Sequence, residues 1–218
     1  MAEKVKIFLV DDHRVVLEGI KSALREHPQF RVTGEALNGR EAVRRIKALK
    51  PDIVIMDISM PDLNGIDATL QIKKFDPRIR IIIFTMYSNI EYMIDLFNAK
   101  VSAYVLKEDP MSDLMLAIET VHRGGIYFGS LTPAILSRHR EALAGSKVSR
   151  DNFSTLSLRE REIFQLLAEG ESIKAIAAKL GISPKTVESH KYKIMDKLSA
   201  NTLTDLTRIA IRKKIIEV

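Results

Sequence analysis

Cysteine is absent from the 218 residues, which excludes both a disulfide framework and a thiolate metal site. Long apolar runs are absent as well. No stretch approaches the roughly 18 residues that would span a bilayer. The opening residues Met1 to Lys6 lead straight into a strand pattern without an apolar signal segment. These absences fit a reducing compartment and predict a soluble, cytoplasmic protein with no membrane partner.

Charge is present, and its distribution is uneven. Residues 1–130 carry 18 Lys and Arg against 18 Asp and Glu, whereas residues 131–218 carry 16 against 10. The whole net charge of +6 therefore lies in the second part. A neutral first half and a basic second half predict two domains, the second facing a polyanion.

In the first half, short apolar runs alternate with amphipathic segments. Ile7–Val10, Ile53–Met56, Ile81–Phe84 and Ala103–Leu106 read as buried strands, with Arg31–Gly34 a fifth. Between and after them, Val15–Glu26, Gly39–Leu49, Ile66–Phe75, Ile90–Ala99 and Met111–His122 read as helices. In the first helix Val16, Ile20 and Leu24 recur at the helical interval. Alternation of this kind predicts an α/β doubly wound five-stranded parallel sheet with its strand ends on one rim.

The residues at those ends are polar. The first strand closes on Asp11-Asp12, the third on Asp57, the fourth on Thr85 and the fifth on Lys107. Asp57, taken alone, is equally a strand-ending aspartate that caps the next turn. Three carboxylates on one rim repel unless a cation sits among them, and hard oxygen ligands suit Mg²⁺ (or Mn²⁺). A carboxylate nucleophile, an acidic pair and a lysine form an arrangement for phosphoryl transfer to aspartate.

Asp11-Asp12, Asp57-x-x-Met60-Pro61-x-x-x-Gly65, Thr85 and Lys107 resemble the flavodoxin-like receiver domain of two-component response regulators, over about residues 4–123. The resemblance implies that Asp57 accepts a phosphoryl group from a sensor histidine kinase. It implies a metal site of Asp11, Asp12, Asp57 and the Ser59 backbone carbonyl. Lys107 would pair with a phosphate oxygen and Thr85 would close onto the phosphate. Tyr104 matches the switch aromatic that moves with Thr85; by itself it reads as a half-buried strand tyrosine. Two positions depart from the family pattern. Lys100 stands where a glycine is common, and a left-handed conformation there costs roughly 1 kcal/mol. Glu108 follows Lys107 where proline often permits a cis bond, and a non-proline cis bond costs ~3 kcal/mol.

The domains assign as receiver 1–125, connector 126–152 and DNA-binding domain 153–218. In the connector, Pro133–Leu143 reads as a short helix and Ala144 to Asn152 as a polar tether. Beyond it, Ser157-Leu158-Arg159-Glu160 is a capping box. Gly181 punctuates two short helices, and Ser183-Pro184 opens a longer one ending near Leu198. With Leu203–Lys213 these make an all-α four-helix domain containing a helix-turn-helix. Composition alone fits a protein-binding module equally well.

In the third helix Val187, Ile194, Met195 and Leu198 form one stripe, opposite Lys185, Glu188, Ser189 and Tyr192. That outward face, flanked by Lys193 and Lys197, suits a major-groove reader. Leu156 to Ile163, Leu167 to Gly170, Ile176-Ala177, Leu180 to Ser183 and Lys185 to His190 together resemble the LuxR-type helix-turn-helix. The two halves combined resemble the NarL/FixJ branch of response regulators. The resemblance places Glu188, Ser189 and Tyr192 at base-reading positions and Lys185, Lys191 and Lys193 on phosphates. Leu203, Leu206 and Ala210 would form a dimer contact on DNA. His190 is expected to meet a phosphate or the backbone.

The expected protein is a transcription regulator switched by phosphorylation of Asp57. Its partners would be double-stranded DNA of two half-sites, a histidine kinase, a second copy of the chain and RNA polymerase. Its own chemistry would be limited to gaining and losing the Asp57 phosphoryl group. The rival readings are a regulator of the same architecture that acts without phosphate, and a phosphotransferase or phosphatase whose basic module is incidental.

Overall fold

Runs of isoleucine, valine and phenylalanine supply the strands, because branched and aromatic side chains suit a pleated surface packed on both faces. The computed structural model describes residues 4–87, 96–97, 99–129, 152–213 and 215–216, and the chain divides into two units. In the first, strands β1 (Val5–Val10), β2 (Phe30–Ala36), β3 (Ile53–Met56), β4 (Arg80–Thr85) and β5 (Ala103–Leu106) form one sheet. Its order is β2-β1-β3-β4-β5, and every pairing is parallel. Residues of β3 and β5 are buried throughout, as continuous apolar runs require.

Helices α1 (Arg14–Leu24), α2 (Gly39–Leu49), α3 (Gly65–Phe75) and α4 (Met111–His122) flank this sheet. Asn38 and Asn64 cap α2 and α3 by accepting from the backbone N–H of Glu41 and Asp67, satisfying donors that a helix start leaves open. The buried stripe of α1 is Leu17, Ile20 and Leu24, with Val16 packed beside it. The expected helix Ile90–Ala99 lies outside the described residues apart from Leu96, Phe97 and Ala99. The connector helix Pro133–Leu143 and the tether up to Asp151 also lie outside them. Lys100 adopts the left-handed conformation, φ 58°, and no described peptide bond is cis, the one between Lys107 and Glu108 included.

The second unit holds α5 (Leu158–Ala168), α6 (Ile173–Leu180), α7 (Pro184–Leu198) and α8 (Leu203–Arg212), preceded by a 3-10 turn at Asn152–Thr155. Ser157 with Glu160, and Thr202 with Asp205, form reciprocal capping boxes, while Ser172 and Ser183 cap the middle helices. Gly181 ends α6 at φ 63°, a conformation that glycine adopts without a Cβ penalty. Ile163, Phe164, Leu166, Ile176, Val187, Ile194, Leu206 and Ala210 are fully buried and form its core. Burying each large aliphatic side chain contributes roughly 1.5–3 kcal/mol, which lets short helices hold together.

Candidate phosphoryl-acceptor site and nucleic-acid interface

The parallel sheet delivers Asp11, Asp57, Thr85 and Lys107 to one rim, because each directly follows a strand or closes it. Asp57 is 4% exposed and Asp11 2%. Lys107 Nζ lies 2.7 Å from Asp57 Oδ2 and 2.8 Å from Asp11 Oδ2, so one ammonium bridges two buried carboxylates. The Ile58 N–H donates to Asp57 Oδ1 at 2.7 Å, fixing the carboxylate's second oxygen. Burial pushes the Asp57 carboxyl pKa up and the Asp11 charge adds to this; Lys107 pulls it down without cancelling the rise. The Thr85 hydroxyl is buried and, short of a well-formed hydrogen bond, adds a weaker downward pull. For Lys107, burial disfavours the ammonium, but the two carboxylates outweigh it and its pKa is raised.

Ligand atoms of Asp11, Asp12, His13 and Asp57 all lie within 4.8 Å of one another. The Asp12 Oδ1 atom is buried and closes no hydrogen bond of good geometry, although His13 Nδ1 is 3.0 Å away. An acceptor left without a donor beside two more carboxylates fits a hard divalent cation. His13 is the member that sequence reasoning missed. Its backbone N–H donates to Asp11 Oδ1 at 2.9 Å, and its position directly after the acidic pair was the available signal. Ser59 lies two residues beyond Asp57 in the loop that leads to α3.

Gly65 shows why that loop needs glycine. A Cβ there would sit 1.8 Å from the Asp57 carbonyl oxygen, while the Gly65 N–H donates to the Ile58 carbonyl at 2.8 Å. The start of α3 thus rests directly on the backbone of Asp57 and Ile58. Tyr104 is 1% exposed rather than half-buried, and its hydroxyl donates to the Tyr87 carbonyl.

In the second unit the helix Pro184–Leu198 buries and exposes the sides that its residue spacing predicts. Val187, Ile194 and Leu198 are buried, Met195 is partly so, and Lys185, Glu188, Ser189, Tyr192 and Lys193 point to solvent. Tyr192 is 68% exposed, and Lys191 Nζ lies 5.7 Å from its ring centroid. Lys197 departs from expectation. It does not flank the reading face but bonds Glu160 Oε2 at 2.7 Å and the Thr155 carbonyl at 3.2 Å. Burial disfavours the Glu160 carboxylate, yet Lys197 and Ser157 overcome this and lower its pKa to about 2. His190 is half-buried, and its Nδ1 has no hydrogen-bond partner among the described residues.

The expected dimer contact is corrected for two of its three residues. Leu206 and Ala210 are fully buried in the unit's own core, because that stripe of α8 packs on α5. The outward face of α8 instead carries Leu203, 45% exposed, and Ile211, 38% exposed.

A buried aspartate bridged to a second carboxylate by a lysine at the rim of a parallel sheet, and a helical unit containing a helix-turn-helix, together match a class of signalling proteins. The chain belongs to the two-component response regulators that join a receiver to a LuxR-type DNA-binding domain. Residues 7–119 match the response regulator receiver domain, and residues 154–210 match the bacterial regulatory proteins of the luxR family. It is 38% identical over 216 residues to the oxygen regulatory protein NreC of Staphylococcus haemolyticus, covering 98% of this chain and all of that protein. The RcsB response regulator of Salmonella typhimurium superposes with a TM-score of 0.62 at 27% identity, over 99% of this chain and all of that one. RcsB of Salmonella enterica serovar Typhimurium, bound to a promoter with the phosphomimetic BeF3⁻, gives 0.59 at 28% identity, over 94% and 97% of the two chains.

Proposed function

We propose that Asp57 is the phosphoryl acceptor of this regulator and that its phosphorylation sets how tightly the second unit binds DNA. The observation that carries this is the Asp57 carboxylate, buried, aimed by the Ile58 N–H and bridged by Lys107 to Asp11. An Asp57 oxygen attacks the phosphorus of a phosphohistidine on a sensor kinase. The new O–P bond forms as the P–N bond breaks, and the freed imidazole takes up a proton. Lys107, already within hydrogen-bond reach, then pairs with a phosphoryl oxygen, and the poorly satisfied Thr85 hydroxyl gains an acceptor. Hydrolysis of the same acyl phosphate by water resets the protein.

Asp11, Asp12, Asp57 and the Ser59 carbonyl would hold Mg²⁺ or Mn²⁺, with His13 at the edge of the site. The cation supplies charge neutralisation to the phosphoryl oxygens when bound.

On the DNA side, Glu188, Ser189 and Tyr192 meet base edges while Lys185, Lys191 and Lys193 meet phosphates. Two copies reading two half-sites would pair through the outward face of α8, Leu203 and Ile211, with RNA polymerase a further contact. Among the described residues no helix is long and apolar enough to cross a membrane, and the reading places the protein in the cytoplasm. The domain limits 1–125, 126–152 and 153–218 are part of this proposal.

Intact-protein mass spectrometry after incubation with acetyl phosphate and Mg²⁺ tests the acceptor. One phosphoryl group on the wild type and none on Asp57→Asn supports it. Equal uptake by both, or none by either, refutes it.

A further inference from the structure

The outer edge of β5, the last strand of the sheet, is not left open. Tyr127, the second residue of the connector, forms a parallel bridge with it: the Tyr104 N–H donates to the Tyr127 carbonyl at 2.8 Å, and the Tyr127 N–H donates to the Ser102 carbonyl at 3.0 Å. The side chains on either side anchor the same segment. The Tyr127 ring packs, partly buried, against the receiver core that α4 helps to form. Phe128 is 5% exposed and packs at a tilt against Phe97, ring centroids 5.8 Å apart and planes at 56°. Two residues, Val105 and Leu106, lie between Tyr104, which holds the connector, and Lys107, which holds Asp57, an offset of three positions. Along a strand that is about 10 Å.

We infer that the Tyr127–Phe128 segment is the coupling element of the molecule: it reads the position of β5 and passes it to the connector that leads to the DNA-binding unit. The inference rests on Asp57 as acceptor and goes beyond it. When a phosphoryl group draws Thr85 and Lys107 toward it, β4 and β5 shift at their rim ends, since Lys107 N–H donates to the Thr85 carbonyl at 2.8 Å. Packed elements respond by switching between discrete arrangements rather than by bending. Tyr104 moves with β5, and the connector, bonded to Tyr104 through its backbone, moves too. A cleft of about 470 Å³, bordered by Phe97, Phe128, Ile126, Arg80 and Lys100, lies beside the Phe97–Phe128 pair. It gives those rings space to change places, which a close-packed interior would deny.

The experiment uses the full chain. Wild type, Tyr127→Ala, Phe128→Ala and Tyr127→Phe are treated with acetyl phosphate and Mg²⁺. Phosphoryl uptake is read by mass, DNA affinity is measured at one fixed salt concentration, and backbone exchange at Tyr104 and Tyr127 is followed. Phosphoryl uptake at the wild-type level shows that a variant's receiver is folded. In the wild type, phosphorylation is expected to alter Tyr104 and Tyr127 exchange and to change DNA affinity by roughly 5- to 150-fold, the usual range of coupling. In Phe128→Ala and Tyr127→Ala uptake persists, but the two phosphorylation states bind DNA within about twofold of each other. Tyr127→Phe, which keeps the ring and the backbone bridge, retains most of the wild-type ratio. Wild-type ratios in both alanine variants, or exchange at Tyr104 that ignores phosphorylation, would overturn the inference. Absence of phosphoryl uptake by the wild type would overturn it together with the acceptor reading, and the mass measurement distinguishes that case.

Discussion

A single ammonium stands between Asp57 and Asp11, and removing it leaves two buried carboxylates facing each other without a cation. Breaking a buried pair from one side costs about 3–5 kcal/mol, because the remaining charge is uncompensated. Lys107→Met is therefore expected to lower the unfolding midpoint in metal-free buffer by several degrees. Asp57→Asn, which removes a charge that burial disfavours and leaves Lys107 with Asp11, should change it far less. Differential scanning calorimetry of the two variants side by side checks the order. Gly65 supplies a second residue-scale outcome. With a Cβ due 1.8 Å from the Asp57 carbonyl oxygen, Gly65→Ala must shift either α3 or the acceptor strand. Overpacking of that kind costs about 1–3 kcal/mol, and phosphoryl uptake should slow as well as stability fall; uptake at the wild-type rate would contradict the tight seat. Asp57, Asp11, Thr85 and Lys107 were legible in the sequence because each ends an apolar run. His13 was not, because a histidine after two aspartates carries no periodic signal, and the 1% exposure of Tyr104 follows from a hydroxyl partner, Tyr87, distant in sequence.

At the scale of elements, α7, the proposed reading helix, is held at its far end by Lys197 on Glu160, the same residue that closes the capping box of α5. Glu160 carries a folded pKa lowered from 4.5 to about 2. A carboxylate with a depressed folded pKa contributes stability that is present above its unfolded value and is lost as pH falls through its folded value. The second unit should therefore lose stability between about pH 4.5 and about pH 2, and Glu160→Gln should flatten that slope while lowering stability at neutral pH. A thermal melt series over this window, followed by circular dichroism, gives the answer. An unchanged slope in the variant would show that other carboxylates dominate. The helices themselves were readable from caps and stops: Ser183-Pro184 at the start of α7 and Gly181 at the end of α6 announce their boundaries. Lys197 was misread for a physical reason. It sits near the polar face by helical angle, but its long stem reaches Glu160, which the helical wheel of one segment cannot show. Leu206 and Ala210 were misread similarly, because an apolar stripe on α8 does not say whether it faces its own core or a second copy.

For the whole molecule, charge and sheet geometry divide the work. In the proposed function the neutral receiver carries the chemistry, and the basic second part, 16 cations against 10 anions over residues 131–218, carries the affinity for a polyanion. Electrostatic binding depends on salt through the number of phosphates neutralised. Lys185→Ala and Lys193→Ala should each weaken binding to all sequences and reduce the salt slope by about 1. Ser189→Ala and Tyr192→Ala should instead change which sequence is preferred. Titrations of one specific and one random duplex across a salt series separate the two groups. The parallel five-stranded sheet and the two-part organisation were legible from the alternation of apolar runs and the charge split; the strand order β2-β1-β3-β4-β5 was not. The connector's bridge to β5 was not, because Tyr127 pairs through its backbone, and backbone pairing leaves little trace in residue type.

The measurement that bears most directly on the central claim is the affinity of the full chain for one operator duplex, phosphorylated and unphosphorylated, at a single salt concentration with Asp57→Asn as control. The account predicts that phosphorylation changes the wild-type Kd by roughly 5- to 150-fold and leaves Asp57→Asn unmoved. Equal affinity in both states of the wild type, with phosphoryl uptake confirmed on the same sample, would contradict it.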